Sequence, residues 1–173
     1  MSRMIAQILD LTRNRLAGGL ELDPQPMDLE HTLSKIVDEL RIAHPERAIE
    51  LPAPVVTITA DQDRLEQVFS NLIGNAIVHG DPRSPVVVNA EANAGTVVVT
   101  VHNKGKRIPP ELCARLFDPF RRGERESRTE KTAGLGLGLY ISSEIVRGHG
   151  GSIDVESSDE HGTTFRVQFP SHP

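Results

Sequence analysis

The sequence predicts a domain of the α/β (α+β) class, in which helices and strands are mixed, and three observations support this prediction. Apolar residues recur at helical spacing over residues 61–79. Two valine-rich runs, 85–91 and 96–102, have the pattern of strands in a hairpin closed at 93–95. The stretch 134–151 begins with alternating glycines and leucines and continues directly into another helical pattern. With 38% hydrophobic and 25% charged residues among 173, the composition is that of an ordinary globular domain with room for an appendage.

Charge and cysteine content narrow the possible functions. The net charge of −5 argues against a nucleic-acid partner. No apolar run approaches the roughly 18 residues that span a bilayer, and no signal peptide is visible, so no direct membrane contact is expected for this chain. Cys113 is the only cysteine, which excludes an internal disulfide and favours a reducing compartment. These features predict a cytoplasmic location and leave open whether a longer parent protein is membrane-anchored.

The N-terminal part contains two helical patterns and two short strands. Residues 1–17 are amphipathic and end at a Gly-Gly pair, so we expect a helix there. It is either the end of a longer helix that packs on partner helices or an ordinary core helix. After a proline-containing link, Asp28 is placed to cap a second helix whose apolar stripe begins at Leu29. Residues 48–51 and 55–60 have the pattern of short strands.

The helix predicted at 61–79 carries amides beside its apolar face. Gln67, Asn71 and Asn75 stand four residues apart and therefore share one side of the helix. Asparagine is a poor residue for a helix interior, so these amides are either exposed and locally bonded or they serve a ligand. An asparagine oxygen suits Mg²⁺, which keeps most of its waters and is shared with nucleotide phosphates. The stripe thus has two interpretations, one of which is a site for a cation and phosphate.

A loop, a short helix and a charged segment follow the hairpin. The second strand ends in H-N-K-G-K-R-I-P-P, where Asn103 and Gly105 stand at the opening of a loop. The Pro-Pro pair begins a short helix that runs to Leu116. Residues 121–133 are polar and contain five cations, so they are either solvated surface or a mobile lid over phosphate.

The glycine-rich stretch can bring the backbone close to a ligand. Gly134, Gly136 and Gly138 alternate with leucines, and glycine tolerates a close approach that a side chain would prevent. A helix that begins after such a loop has unpaired N–H groups at its start, which favour phosphate. On its own this pattern is equally typical of tight packing. Two alternating runs, 152–156 and 163–169, complete the chain as strands.

Taken together, these segments resemble the ATP-binding catalytic domain of sensor histidine kinases, within the gyrase, Hsp90, histidine kinase and MutL-type ATPase superfamily. The N-box is matched at residues 63–76, the first glycine box at 101–109, the F-box at 116–120 and the second glycine box at 134–139. The closing segment is matched at two ranges, 149–157 and 162–165. The resemblance covers residues 28–170. Five motifs in the expected order are far more specific than one glycine loop.

The resemblance implies a two-layer sandwich of the Bergerat type, with a mixed, mostly antiparallel sheet and helices on one face. ATP would be held between the helices and the lid, and ATP and Mg²⁺ are the expected cofactors. Residues 28–173 would form the ATP-binding catalytic domain. Residues 1–27 would be the end of a helical dimerisation and phosphoacceptor hairpin, together with its linker.

The resemblance also implies roles for individual residues. Asn75 would be the Mg²⁺ ligand, and Asn71 would contact phosphate. Arg122 would reach the terminal phosphates from the lid, and these three are the expected catalytic residues. Thr164 would lie near the adenine pocket. The other expected cofactor-binding residues are His79, Asn103, Gly105, Gly134, Leu135, Gly136, Leu137, Gly138 and Leu139.

Three positions depart from the family pattern. The first glycine box normally begins with an aspartate that accepts a hydrogen bond from the adenine amino group, and here it begins with the neutral Asn103. The second glycine of that box is replaced by Arg107. The lysine expected three residues after Asn75 is Val78, which removes a phosphate contact, whereas His79 retains a donor. We interpret the chain as a variant kinase.

The expected function is transfer of phosphate from Mg-ATP to a histidine in two-component signalling. The family's phosphoacceptor has an H-E/D-x-x-R/T-x-P context, which none of the seven histidines here has. The acceptor is therefore expected on a preceding helical domain, in a homodimer, with the receiver domain of a response regulator as a further partner. Two alternatives stay open: a nucleotide-binding regulatory module without kinase activity, and a serine kinase of the anti-sigma type.

Overall fold

A computed structural model describes residues 20–52, 56–93, 95–119 and 137–171. The helix predicted at 1–17, the charged segment 121–133 and the start of the second glycine box lie outside these residues. No helix in the described part of the chain has the length and apolar character needed to cross a membrane.

Seven strands form two sheets in the described part of the chain. β1 (Gln25–Asp28) pairs antiparallel with β3 (Thr57–Ala60). The main sheet contains β2 (Ile49–Glu50), β4 (Val86–Asn93), β5 (Thr96–Asn103), β6 (Ser152–Ser158) and β7 (Gly162–Pro170). Its strand order is β2-β4-β5-β7-β6; β2 and β4 are parallel, and every other neighbouring pair is antiparallel. The prediction of a mixed, mostly antiparallel sheet is confirmed.

One face of the main sheet is buried, because the register of its strands places the apolar side chains of neighbouring strands opposite one another. Val101 on β5 lies opposite Val88 on β4 and Phe165 on β7, and all three are at most 5% exposed. One residue on, His102 pairs with Thr164 on the other face, where both are partly exposed. We call these the inner and the outer face. Since side chains alternate along a strand, the register decides which residues can face the helices.

Four helices are described: α1 (Leu29–Ala43), α2 (Gln62–His79), α3 (Pro110–Cys113) and α4 (Gly138–Gly148). Asp28 and Asp61 cap α1 and α2, each accepting a hydrogen bond from the backbone N–H three residues on. The cap predicted at Asp28 is confirmed. α2 packs against β4 and β5, α4 packs against β6 and β7, and α1 packs on α2. The core therefore lies between this helical layer and the inner face.

One local expectation was wrong, and one strand was not predicted. The short helix predicted to run to Leu116 ends at Cys113, because the following N–H groups bond carbonyls three residues back, as Arg115 does to Leu112. The proline-containing link includes strand β1, because Met27 pairs with Ile58 of β3 and both side chains join the core. Tertiary pairing thus overrides the turn signal of the prolines.

Ile73→Ala should lower the free energy of unfolding by about 2–5 kcal/mol, because Ile73 is fully buried in α2 and truncation leaves a cavity. Urea denaturation measures this change. Ile42→Ala is a matched control, since Ile42 is 82% exposed near the end of α1 and its removal should change stability by less than about 0.5 kcal/mol. Equal losses in the two variants would contradict the described core.

Candidate functional site

The amide stripe of α2 lies at the edge of the buried face of the helix. Asn71 and Asn75 are half-buried, whereas the adjacent Leu72 and Ala76 are buried in the core. Among the described residues, the Asn75 side chain has no hydrogen-bond partner. Its amide is therefore available to a ligand on the side of α2 that also carries Asn71 and His79.

The first turn of α4 touches Asn71 directly. The Asn71 Nδ2 donates a hydrogen bond to Ser142 Oγ at 3.2 Å. A Cβ at Gly138 would overlap the Asn71 amide oxygen, so the approach depends on glycine. Leu137, which precedes the helix, is fully buried and holds its start against the core. The end of the second glycine box and the amide stripe thus meet, as the sequence predicted.

The start of α4 has no side-chain cap among the described residues. Leu137 occupies the N-cap position, and the first turn contains no acidic residue. The first backbone N–H groups of a helix have no partner within the helix and carry partial positive charge. An anionic group beside Asn71 would satisfy them, as phosphate does at many helix starts.

The other end of the stripe meets the loop after β5. Gly80, directly after α2, and Gly105 form an isolated antiparallel bridge. A Cβ at Gly105 would lie 3.0 Å from the His79 carbonyl oxygen, so a larger residue would push the loop away from the helix. From Asn71 to His79 the helix extends roughly 12 Å at 1.5 Å per residue. The two glycine boxes therefore flank an elongated strip along α2.

Asn103 ends β5 on the inner face and is 6% exposed. Its Nδ2 donates to the Lys104 carbonyl oxygen at 3.2 Å. Because a carbonyl only accepts, this bond identifies the nitrogen of the amide and leaves Oδ1 as an acceptor. Within the described part of the chain, nothing donates to that oxygen. The neutral amide thus retains the acceptor that an aspartate would offer.

The structure does not bring Thr164 to these residues. Thr164 lies on the outer face, where its hydroxyl is 2.9 Å from His102 Nδ1. Thr163 instead lies opposite Asn103 on the inner face, is 4% exposed, and its hydroxyl is 2.8 Å from Ser157 Oγ. Thr164 therefore points away from Asn103, because alternation along β7 sends neighbouring side chains to opposite faces.

Sequence reasoning did not single out Arg47, which is 6% exposed near the base of this loop. Its Nη1 donates to the Asp81 carbonyl at 2.8 Å, and the Asp81 N–H donates to the Lys104 carbonyl at 2.6 Å. Hydrogen bonds from Arg83, aided by the charge of Arg47, hold the pKa of Asp81 below its ordinary value. The guanidinium therefore joins its own segment to the turn at Asp81, and the Asp81 N–H joins that turn to the loop after β5. No motif around Arg47 could have indicated this role.

The F-box is anchored to the sheet. Phe117 meets Phe165 edge to face, with ring centroids 6.5 Å apart and an interplanar angle of 83°. The Ile108 N–H donates to Ser157 Oγ at 2.9 Å and so fixes the loop after β5 to β6. The remaining predicted site residues lie outside the described part of the chain: Arg122, Gly134, Leu135 and Gly136.

A separate open cavity of about 510 Å³ borders another side of α4. Its walls include Tyr140, Glu144 and Arg147 of α4, Phe117 of the F-box and Ile153 of β6. Among the described residues, none that is predicted to bind the nucleotide lines it. The strip on α2 and this cavity are therefore different features.

Comparison with known proteins identifies the family to which this geometry belongs. A family model described as histidine kinase-, DNA gyrase B- and HSP90-like ATPase matches residues 60–173. The chain belongs to this ATPase family. The match includes α2, the loop after β5 and α4, which are the three elements that form the strip.

Curated relatives of this ATPase domain include sensor histidine kinases. The chain is 36% identical over 171 residues to a bacteriophytochrome of Pseudomonas aeruginosa, covering 98% of the chain and 23% of that protein. It is 35% identical over 172 residues to the probable sensor histidine kinase TcrY of Mycobacterium tuberculosis, covering 98% of the chain and 35% of that protein. The chain thus spans about a third or less of the length of these relatives.

Solved structures agree with this relationship. Full-length ShkA in complex with AMPPNP superimposes with a TM-score of 0.81 at 29% identity, covering 97% of this chain and 35% of that chain. The nucleotide-free catalytic domain of histidine kinase ThkA superimposes with a TM-score of 0.74 at 27% identity, covering 87% of this chain and 97% of that chain. The predictions of the two-layer fold and of an ATP-binding catalytic domain of the sensor histidine kinase type are confirmed.

The described residues fit a cation that arrives with a nucleotide better than a metal site built by the protein. They contain no group of three or more His, Cys, Asp or Glu that could hold a metal ion. Mg²⁺ commonly takes few protein ligands and keeps waters and phosphate oxygens in its coordination sphere. The unpaired amide of Asn75 fits the part of a single protein ligand in such a sphere.

Gly138→Ala should weaken Mg-ADP binding roughly tenfold, the effect of about one lost hydrogen bond, because the new Cβ displaces the Asn71 amide. Isothermal titration calorimetry measures this change. Gly74→Ala on α2 is the matched control, because a Cβ there meets nothing within 4 Å. That control should keep its affinity and gain about 0.8 kcal/mol of stability. Equal affinities in both variants would contradict the proposed importance of the close approach.

Proposed function

We propose that this chain is the catalytic part of a two-component sensor histidine kinase, which binds Mg-ATP and presents the γ-phosphate to a histidine on a separate helical segment. The observation that carries the proposal is the strip on α2. Asn71, Asn75 and His79 follow one another along the helix, with the first turn of α4 at one end and the loop after β5 at the other. The elongated strip matches the shape of a nucleotide, which has a base at one end and a chain of charged phosphates at the other.

The base is proposed to lie at the end of α2 near Asn103. The Asn103 Oδ1 would accept a hydrogen bond from the adenine amino group. Thr163 replaces Thr164 in this proposal, because its hydroxyl lies on the inner face beside Asn103. Gly105 lets the loop stay close to α2, and His79 at the end of the helix is a proposed donor to the nucleotide.

The phosphates are proposed to lie between Asn71 and the first turn of α4. Backbone N–H groups around Leu137, Gly138 and Leu139 would donate to phosphate oxygens, which suits a helix start without a side-chain cap. Leu137 contributes only its backbone, because its side chain is fully buried. The proposal extends to the rest of the motif, namely Gly134, Leu135, Gly136 and the lid residue Arg122.

Phosphoryl transfer requires little covalent chemistry from the protein. A bond forms between an imidazole nitrogen and phosphorus while the bond from phosphorus to the β–γ bridging oxygen breaks, and ADP leaves. The catalytic domain contributes by holding the reacting groups in line and by offsetting charge on the phosphate oxygens. Asn71, Asn75 and Arg122 are proposed for these tasks. Mg²⁺ held partly by Asn75 would supply most of the charge neutralisation.

The proposed partners follow from this chemistry. A phosphoacceptor helical domain in a homodimer of the parent protein would supply the histidine, and the receiver domain of a response regulator would take the phosphoryl group. Residues 1–27 are proposed to lead into that helical domain, and residues 28–173 to form the catalytic domain. A cytoplasmic location is proposed for this part of the parent protein.

Asn75→Ala should abolish the Mg²⁺-dependent part of nucleotide binding, because it removes the only amide oxygen proposed as a ligand. Calorimetric titration with ADP, in Mg²⁺ and again in EDTA, measures that part. Asn89→Ala is the matched control, since Asn89 lies on the outer face and contacts Glu91. Affinity near that of the wild type in the Asn75 variant would refute the assignment.

Asn103→Asp should tighten Mg-ADP binding about fivefold, because a charged acceptor bonds the adenine amino group more strongly than an amide. The same change should destabilise the unliganded domain, since a carboxylate cannot donate to the Lys104 carbonyl. Calorimetry and thermal unfolding measure the two effects. Asn93→Asp, exposed at the far end of β4, adds the same charge and should show neither. Weaker binding in the Asn103 variant would place the base elsewhere.

A nucleotide-binding regulatory module without kinase activity is the second candidate function, and Val78 favours it. This residue stands where the family has a lysine, is 64% exposed and offers no charge to phosphate. A chain extended by its own upstream segment and incubated with γ-labelled ATP distinguishes the candidates. Acid-labile phosphohistidine supports the kinase, and nucleotide binding without any label supports the module. Acid-stable label on a protein partner would instead indicate a serine kinase.

A further inference from the structure

Two side chains tie the segment before β1 to the helices of the nucleotide strip. The Asp23 N–H donates to Asp61 Oδ2 at 3.0 Å, while Asp61 Oδ1 accepts from the Arg64 N–H as the cap of α2. The Asp61 N–H donates to His149 Nε2 at 3.0 Å. His149, directly after α4, bonds the Ile145 carbonyl through Nδ1 at 2.8 Å. One carboxylate and one imidazole therefore connect three elements that are far apart in sequence.

Each of these hydrogen bonds has only one possible direction. A backbone N–H can only donate and a carbonyl can only accept, so His149 accepts at Nε2 and donates at Nδ1. The Asp61 carboxylate accepts twice, once for each oxygen. Removing either side chain leaves a backbone group of a different element without its partner. The connection thus depends on these two residues and not on general packing.

The same two helices are joined again at the nucleotide end. Asn71 of α2 contacts Gly138 and Ser142 at the start of α4, whereas Asp61 and His149 join the start of α2 to the end of α4. The helices therefore run antiparallel, with one connection at the start of α2 and the other near its middle. Both connections are separated by roughly 15 Å of helix at 1.5 Å per residue. A regular helix is stiff along its axis, so the two connections provide a direct physical route between these places.

Residues 20–24 lie against the end of this helix pair that is remote from the nucleotide. Leu20 packs against the core, and Leu22 Cδ1 is 3.0 Å from where a Cβ on Gly148 would stand. Together with the hydrogen bond from Asp23, these contacts hold the segment to the helix pair. Under the proposed function, this segment is the one that leads to the phosphoacceptor helices.

We propose that Asp61 and His149 are positioning residues that couple residues 20–24 to the nucleotide site. Nucleotide binding tightens the docking of the segment, and docking of the segment raises nucleotide affinity by the same factor, because coupling between two binding equilibria is reciprocal. This inference rests on the proposed function. It adds a route by which nucleotide binding changes the docking of residues 20–24, which precede the helices of the nucleotide site.

Two variants separate this coupling from simple stability. Asp61→Ser keeps the cap of α2, because serine caps helices as well as aspartate does, but it has no second oxygen for the Asp23 N–H. His149→Ala removes the acceptor for the Asp61 N–H. His161→Ala is the matched control, since the His161 side chain is 79% exposed in the turn between β6 and β7. Asp61→Ser also provides the test should His149→Ala fold poorly.

The experiment is amide hydrogen exchange of the full chain over residues 20–28, with and without saturating Mg-ADP. In the wild type and in His161→Ala, Mg-ADP should slow exchange of the Asp23 amide by about three- to tenfold, the range set by one hydrogen bond. In Asp61→Ser and His149→Ala this slowing should disappear, and the dissociation constant of Mg-ADP should rise by the same factor. A merely structural role would lower the unfolding temperature and leave the response to nucleotide intact.

The possible failures can be told apart. If the exchange rates of residues 20–28 in the wild type are the same with and without bound Mg-ADP, the coupling is overturned and the proposed function stands. Unchanged affinity with a preserved response in both variants overturns the role of these two side chains. A wild-type chain that does not bind Mg-ADP at all overturns the proposed function, and the coupling with it.

Discussion

The approach of the first turn of α4 to the Asn71 amide is the contact on which the rest of the site depends. A side chain at Gly138 would displace the Asn71 amide, so this contact between the two helices that border the strip depends on glycine. Leu137 is fully buried beside this contact and holds the start of α4, which has no side-chain cap among the described residues, against the core. The anion-binding role proposed for this turn therefore depends on packing, because glycine and leucine bring the backbone N–H groups next to the Asn71 amide.

The site also depends on the strand register of the sheet, which decides the residues that face the helices. Asn103 and Thr163 lie opposite each other on adjacent strands, on the face that α2 and α4 cover. On β6, Ser157 extends this row of polar side chains through its contact with Thr163. The Ser157 hydroxyl also accepts a hydrogen bond from the Ile108 N–H, which fixes the loop after β5 to the row. A shift of one residue in register would exchange this row for residues of the outer face, such as His102. The end of the strip that is proposed to hold the base thus depends on the register of the valine-rich sheet.

Much of the fold could be predicted because its signals are local. The helical stripe of α2, the cap at Asp28 and the valine-rich hairpin are encoded in residues close together in the chain. The relation between the amide stripe and the second glycine box was also predictable, because complementary chemistry in two segments indicates a shared ligand. The sequence could not show which face of the sheet Thr164 occupies, because that depends on the register between β5 and β7. Arg47 carries no signal in its own neighbourhood, since its partner is a carbonyl on a distant turn.

The sequence by itself determined the chemical inventory: the amides of α2, the glycines before α4 and the acceptor at Asn103. It also determined the helices and strands that carry them, since hydrophobic periodicity and capping act over a few residues. Only the tertiary structure decided which of these groups face one another. The strand register selects Thr163, the spacing of two helices selects Gly138, and a backbone carbonyl orients Asn103. These choices depend on contacts between segments far apart in the chain, which no local pattern records.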